Sequence, residues 1–211
     1  MSFTGIPIAA LDFYDDLELD NSRTFWQANK QRWERDVRDP LLALADFLAP
    51  EFGEAKLFRP YRDVRFSKDK SPYKTHQGLF VRTGPSAGYY VQVDAAGVMI
   101  SAGWYAADSP TLQAIRHHID ADGSRLRRLL DRLETAGWTV GGDTLVTAPR
   151  GWSVDHPHID LLRHKSLTVR RCFDNDPAME TPAFAAVVAD HWRRTEPLLA
   201  WLSEAVDDPD A

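Results

Sequence analysis

Residues Lys56 to His76 concentrate the side chains best suited to holding an anion. Lys56, Arg59, Arg62, Arg65, Lys68, Lys70 and Lys74 stand against only Asp63 and Asp69, a charge of +5 in 21 residues, while the other 190 carry −11. Like charges this close cost free energy unless water, salt, internal carboxylates or a bound anion screens them. The run Ser67-Lys68-Asp69-Lys70-Ser71-Pro72-Tyr73-Lys74-Thr75 adds hydroxyls and backbone amides, the mixture that cradles phosphate or carboxylate. It lacks the glycines of a Walker loop. Arg59, Arg62, Arg65, Lys68, Lys70 and Lys74 are the candidate contacts, and Tyr73 can supply a hydroxyl. Asp63 has three readings: an orienter of Arg59 and Arg65, a general base, or one partner in a structural salt-bridge network.

Read as an extended strand, Arg59 to Lys68 sorts into two faces. Arg59, Tyr61, Asp63, Arg65 and Ser67 share the wetter one, and Arg62, Val64, Phe66 and Lys68 the other. Val64 and Phe66 call for the core, which predicts a partly buried Arg62 in need of a counter-charge. A second basic cluster, Arg163-His164-Lys165-Ser166 with Arg170-Arg171, brings Arg163 and Lys165 into the same positive cleft if its strand pairs nearby. His156 and His158 sit beside Asp155 and Asp160, and His117 adjoins His118, but neither set has zinc spacing. His156, before Pro157, reads as a turn or cap residue, and no metal is assigned. Cys172, between Arg171 and Phe173, reads as a small apolar filler. Ser67 and Ser71 lack a Gly-x-Ser-x-Gly setting, and no Gly-x-Gly-x-x-Gly follows a strand, so no cofactor is assigned.

The elements that must carry these residues follow from periodicity. Ile8, Leu11, Tyr14 and Leu17 repeat at helical spacing after Pro7, with Asp12, Asp15, Asp16, Glu18 and Asp20 as a solvated face. Asp20-Asn21-Ser22 offers the cap of a second helix bearing Trp26, Asn29, Trp33 and Val37. Pro40 breaks or restarts it, and Leu41, Leu44, Ala45 and Leu48 mark a third helix that ends before Gly53. Leu79 to Thr83, Tyr89 to Val93 and Val98 to Ala102 read as antiparallel strands, the last two joined at Asp94-Ala95-Ala96-Gly97. Pro60 to Ser67 is a candidate fourth. Helix returns at Asp108-Ser109-Pro110, with Leu112, Ile115 and Ile119, and again at Leu126 to Leu133, closed by Gly137. Arg125, Arg127, Arg128 and Arg132 read as a solvated face beside Asp131 and Glu134. Ile159 to Leu162 reads as helix, Ser166 to Phe173 as extended, and Pro182 to Ala205 as a terminal helix that Pro197 should kink or end. The tryptophans read mostly as core; Trp104 and Tyr105, which end the hairpin, are the aromatics best placed to meet a ligand, with core the preferred reading for both. The sum is an α+β chain: an antiparallel sheet of about four or more strands packed by N-terminal and C-terminal helices. Residues 1–211 read as a single domain.

Composition closes off other classes. At 211 residues, 44% hydrophobic and 27% charged, the chain is neither disordered nor fibrous. No apolar run is long enough to span a bilayer, the N-terminus lacks signal-peptide features, and one cysteine allows no intrachain disulfide. The expectation is a cytoplasmic protein without a membrane partner.

At the basic segment the chain also resembles a known family. Arg59-x-x-Arg62-Asp63-x-Arg65-Phe66-x-x-x-Lys70-x-Pro72-Tyr73 matches the signature of a bacterial domain-of-unknown-function family of about this length. The Phe25-Trp26 helix start, Gly88-Tyr89-Tyr90, Gly103, Asp155-His156-Pro157 and Leu161 to Ser166 extend the resemblance over most of the chain. It implies membership and carries no activity, cofactor or catalytic residue. The functional expectation therefore rests on the charge pattern: an anion-binding protein for a phosphorylated or carboxylate small molecule, with catalysis left open. A nucleic-acid module is the alternative, with Tyr61, Phe66 and Tyr73 as stacking platforms among the cations. A structural ion-pair network supporting a protein interface is the other.

Overall fold

The computed structural model describes residues 2–65, 68–174 and 176–207. Six strands form one antiparallel sheet in the order β1-β2-β3-β4-β6-β5: β1 is Ala55–Leu57, β2 His76–Gly84, β3 Ala87–Asp94, β4 Gly97–Trp104, β5 Thr139–Gly141 and β6 Leu167–Asp174. Among the described residues six α-helices accompany it: α1 Ile8–Leu19, α2 Arg23–Trp33, α3 Asp39–Phe52, α4 Ser109–Thr135, α5 Ile159–Leu162 and α6 Phe184–Asp207. The class is α+β, as the alternation of helical blocks and consecutive strands requires. Among the described residues no helix is long and apolar enough to cross a membrane.

Two compact units divide the chain. The first comprises residues 1–81, 90–100 and 172–189. Here α1 buries Leu11, Phe13, Tyr14 and Leu17, and the Ser22 hydroxyl caps α2 by accepting from Phe25 N–H at 3.1 Å. Pro40 does not interrupt the helical path. Its missing N–H leaves a gap in the ladder, and a π turn over Glu34–Arg38, closed by Asp39 N–H on Glu34 O, carries α2 into α3. β1 lies antiparallel to β2 with Lys56 opposite Phe80, so this edge strand falls just before the segment read as extended from sequence.

The second unit comprises residues 82–89, 101–171 and 190–211. Asp108 caps α4 through Thr111 N–H at 2.9 Å. The two helices expected over 108–137 form one element bent at Asp122, whose φ of −135° and ψ of 30° are non-helical. Gly103, at φ +140°, cannot be replaced without strain, because a Cβ there would lie 2.2 Å from Leu167 O. Pro197 does not end α6, which continues to Asp207 with Leu198, Trp201, Leu202 and Ala205 buried. Apolar burial on that turn outweighs the single lost backbone bond. Cys172 is exposed on β6 instead of filling the core. Trp104 is buried, whereas Tyr105, one residue past the strand, is exposed.

Candidate functional site

Residues 59–65 do not extend as a strand. One isolated bridge joins Tyr61 to Tyr73, flanked by Arg62 N–H on Pro72 O at 2.9 Å and Lys74 N–H on Pro60 O at 2.8 Å. The segment is thus a loop pinned at its neck. The neck rests on α2: the Tyr73 ring stacks on Trp26 at 4.3 Å and 9°. Asn21, at the entry to that helix, donates to Tyr73 O at 3.0 Å and accepts from Tyr73 N–H at 3.1 Å. The sequence signal for this anchor was present in Asn21-Ser22 and Trp26, but only as a cap and a core stripe.

Within the loop half of the six expected cationic contacts, Arg62, Arg65 and Lys70, are already engaged. Arg62 pairs with Asp69 and is 37% exposed, not buried among apolar neighbours. Arg65 forks onto Asp63, with Nε 2.9 Å from Oδ1 and Nη2 2.6 Å from Oδ2. Lys70 Nζ donates to Val64 O at 2.9 Å. Asp69 also accepts from Ser71 N–H and Oγ, at 2.9 and 2.6 Å, and these bonds with the Arg62 guanidinium bring its carboxyl down to about 2. Asp63 is held below the ordinary carboxylate range by the Arg65 side chain and backbone N–H, which makes it a weak base and a good orienter. Val64 is only half-buried. Phe66 and Ser67, which the strand reading assigned to opposite faces, lie outside the described residues.

Arg59, Lys68 and Lys74 have no ion-pair or hydrogen-bond partner for their charged groups among the described residues. Lys74 Nζ lies 5.5 Å from the Phe58 ring centre, and Lys56 Nζ lies 5.9 Å from the same centre. Burial and the nearby Arg59 charge push the Lys74 ammonium below its ordinary range. His76 is likewise pushed down, by burial and then by Lys74, against a weaker pull from Asp94. Phe58 continues into an aromatic face, 6.5 Å from Phe80 and 6.3 Å from Tyr90. Gly78 leaves room for Tyr90, whose hydroxyl would meet a Cβ there at 2.3 Å. Tyr90 donates to Gln92 Oε1 at 3.1 Å, and Gln92 donates to Asp94 at 2.8 Å. Sequence reasoning missed this companion face, because Lys56, Phe58, His76 and Tyr90 become neighbours only when β1, β2 and β3 pair.

Of the stacking platforms, Tyr61 is 48% exposed while Tyr73 is buried against Trp26. Arg163 and Lys165 belong to the second unit, where Leu145 N–H donates to Arg163 O and Lys165 N–H to Asp143 O. His156 shares Nε2 with Asp120 at 2.8 Å and accepts His158 N–H on Nδ1 at 3.1 Å, a turn-closing role before α5. His158 stands 3.3 Å from Ser124 Oγ. No curated protein and no solved structure matches the chain. A family model matches residues 9–201, nearly the whole length, and it spans α1, the pinned basic loop, the sheet and α6 as far as Trp201. The chain therefore belongs to the conserved hypothetical protein family DUF2461.

Proposed function

We propose that the first unit binds a phosphate- or carboxylate-bearing small molecule at Arg59, Lys74 and His76, over the Phe58 ring. The observation that carries this reading is Lys74, half-buried beside the exposed Arg59, with no carboxylate partner for either cation among the described residues. Uncompensated like charges are unfavourable in the free protein, and an anion between them removes the repulsion. Arg62, Arg65 and Lys70 shape the loop through Asp69, Asp63 and Val64 O, and Lys68 stands exposed at its rim. The reading stops at binding and places the protein in a reducing cytoplasm, where an exposed Cys172 persists as a thiol.

Sulfate is the first probe because it keeps its charge across neutral pH. A saturable rise in melting temperature is expected for sulfate and stronger rises for phosphate monoesters. Arg59→Ala and Lys74→Met should abolish both, while Arg62→Ala should retain them. Binding that survives Arg59→Ala and Lys74→Met would overturn the assignment. A short oligonucleotide that binds with a steep salt dependence would move the function to nucleic acid.

A further inference from the structure

Alternate residues of β2 and β3 point to opposite faces of the sheet. Leu79, Val81, Val91 and Val93 are buried on one face, whereas Phe80, Tyr90 and Gln92 on the other are half-buried. Register adds a further ring to that wetter face. Lys56 pairs with Phe80, Leu57 with Leu79, and Phe58 N–H donates to Gly78 O at 3.0 Å, which sets Phe58 beside Gly78. Gly78 has no side chain to stand there, and the Tyr90 ring leans over it: a Cβ would lie 2.7 Å from Tyr90 Cε2 and 2.8 Å from Cζ. Tyr90 therefore lies along the sheet, with its hydroxyl fixed by Gln92 Oε1. Phe58 joins the tile at 6.3 Å from Tyr90 and 6.5 Å from Phe80.

The anion-binding groups border this tile. The Lys74 and Lys56 ammonium groups lie over the Phe58 ring, at 5.5 and 5.9 Å from its centre. Arg59 is close enough to act on Lys74, and Lys74 on His76. Asp94 stands on the Gln92 face of β3 and accepts from Gln92 at 2.8 Å. Three half-buried rings thus adjoin a group of cations within the first unit, and an anion bound through its charge alone leaves their apolar area wet.

We propose, resting on the anion site assigned above, that its ligand is a phosphate monoester carried on a planar heterocycle, as in a nucleoside monophosphate, with the base on the Phe58 and Tyr90 rings and the phosphate at Arg59, Lys74 and His76. Two full cations beside a histidine match a dianion better than a single carboxylate. The lysines over Phe58 sit on flexible stems, and a cation over an exposed ring is held only weakly. The phosphate draws the ammonium groups aside and the base takes their place, so both ends of the ligand bind in one exchange. A second phosphate further along β3 would meet the Asp94 carboxylate, which suits the face to one nucleotide instead of a strand.

The test titrates the full chain with adenosine monophosphate, ribose phosphate and sulfate at matched ionic strength, by calorimetry and by the proton resonances of the adenine. Adenosine monophosphate should bind about tenfold more tightly than ribose phosphate, the gain from one stacked base. Its adenine resonances should move upfield at saturation, as ring currents above Phe58 and Tyr90 require. Phe58→Leu, which keeps apolar volume beside the edge strand, should bring the two dissociation constants together, and the ratio cancels any general weakening. Equal constants in the parent, or adenine resonances unmoved at saturation, would overturn the heterocycle while sulfate binding leaves the anion site standing. Sulfate that does not bind overturns the anion site and this inference with it. An oligoadenylate that binds more tightly than its number of bases accounts for, and weakens steeply with salt, would replace the mononucleotide by a single strand. The parent comparison decides even if Phe58→Leu fails to fold.

Discussion

The loop at Arg59 to Lys74 and the buried stripe of α4 place positive charge in opposite ways. The loop gathers many cations at the surface and neutralises Arg62, Arg65 and Lys70 internally, through Asp69, Asp63 and a backbone carbonyl. The apolar stripe carries Arg116 as its single charge, nearly buried, with one carbonyl as its hydrogen-bond partner among the described residues. Charge density therefore does not measure the capacity to bind an anion. What counts is how much of each charge is left uncompensated and how far it has been withdrawn from water. By that measure half-buried Lys74 stands apart from the exposed Arg59 beside it.

The sharpest way to break the contrast is to remove the loop's support. Trp26→Ala should cost about 3–5 kcal/mol in urea unfolding, the usual loss for a buried aromatic. It should also abolish sulfate binding in the first unit, and sulfate binding that survives it would detach the site from the Tyr73–Trp26 anchor. Asn21→Ala removes both bonds to the Tyr73 backbone and should cost about 1–3 kcal/mol, read from the same unfolding curves.

Arg116→Met asks whether the buried guanidinium is structural. Replacing an unpaired buried charge by an apolar residue of similar size orphans no partner charge, so stability should fall by no more than about 1 kcal/mol, the hydrogen bond to Leu162 O. A drop of several times that would make Arg116 an architectural element. A smaller effect is expected from pH. His76 is held below its ordinary value of 6.5, so the folded chain resists protonation, and stability attributable to it falls as pH drops through 6.5 toward the lowered folded value. A bound anion should raise the His76 value, so sulfate should stabilise more strongly at about pH 5.5 than at about pH 8, read from melts in sulfate against chloride. The smallest change belongs to Arg65→Ala. Its fork to Asp63 is exposed and screened, and no resolvable shift in melting temperature is expected.

Much of the architecture was legible from periodicity and punctuation. Ser22 and Asp108 cap the helices that their side chains announced, Gly97 turns β3 into β4, and Gly137 closes α4. The errors fall where a local signal met a tertiary one. Alternation of Val64 with its neighbours suggested a strand, but Tyr73 on Trp26 and the Tyr61 bridge drew those residues into a loop. Pro197 is a helix breaker by local rules, yet the burial of Leu198 and Trp201 carries α6 past it. Arg116 is the odd member of the Leu112-Ile115-Ile119 stripe, a single charge without the neighbouring charges that mark a cluster.

Residue order was enough for the α+β class, the helix caps, the hairpin and the location of the excess positive charge, since each depends on neighbours within a few positions along the chain. Which of those charges are satisfied was decided only by folding. Arg62 meets Asp69, Arg65 meets Asp63, and Lys74 comes to lie over Phe58 through pairings that loop closure and strand register create. Arg116 reaches Leu162 O across 46 residues of sequence, and its burial comes from the packing of α4 against α5. Electrostatic free energy depends on distance and on exclusion of water, and both are properties of the assembled chain.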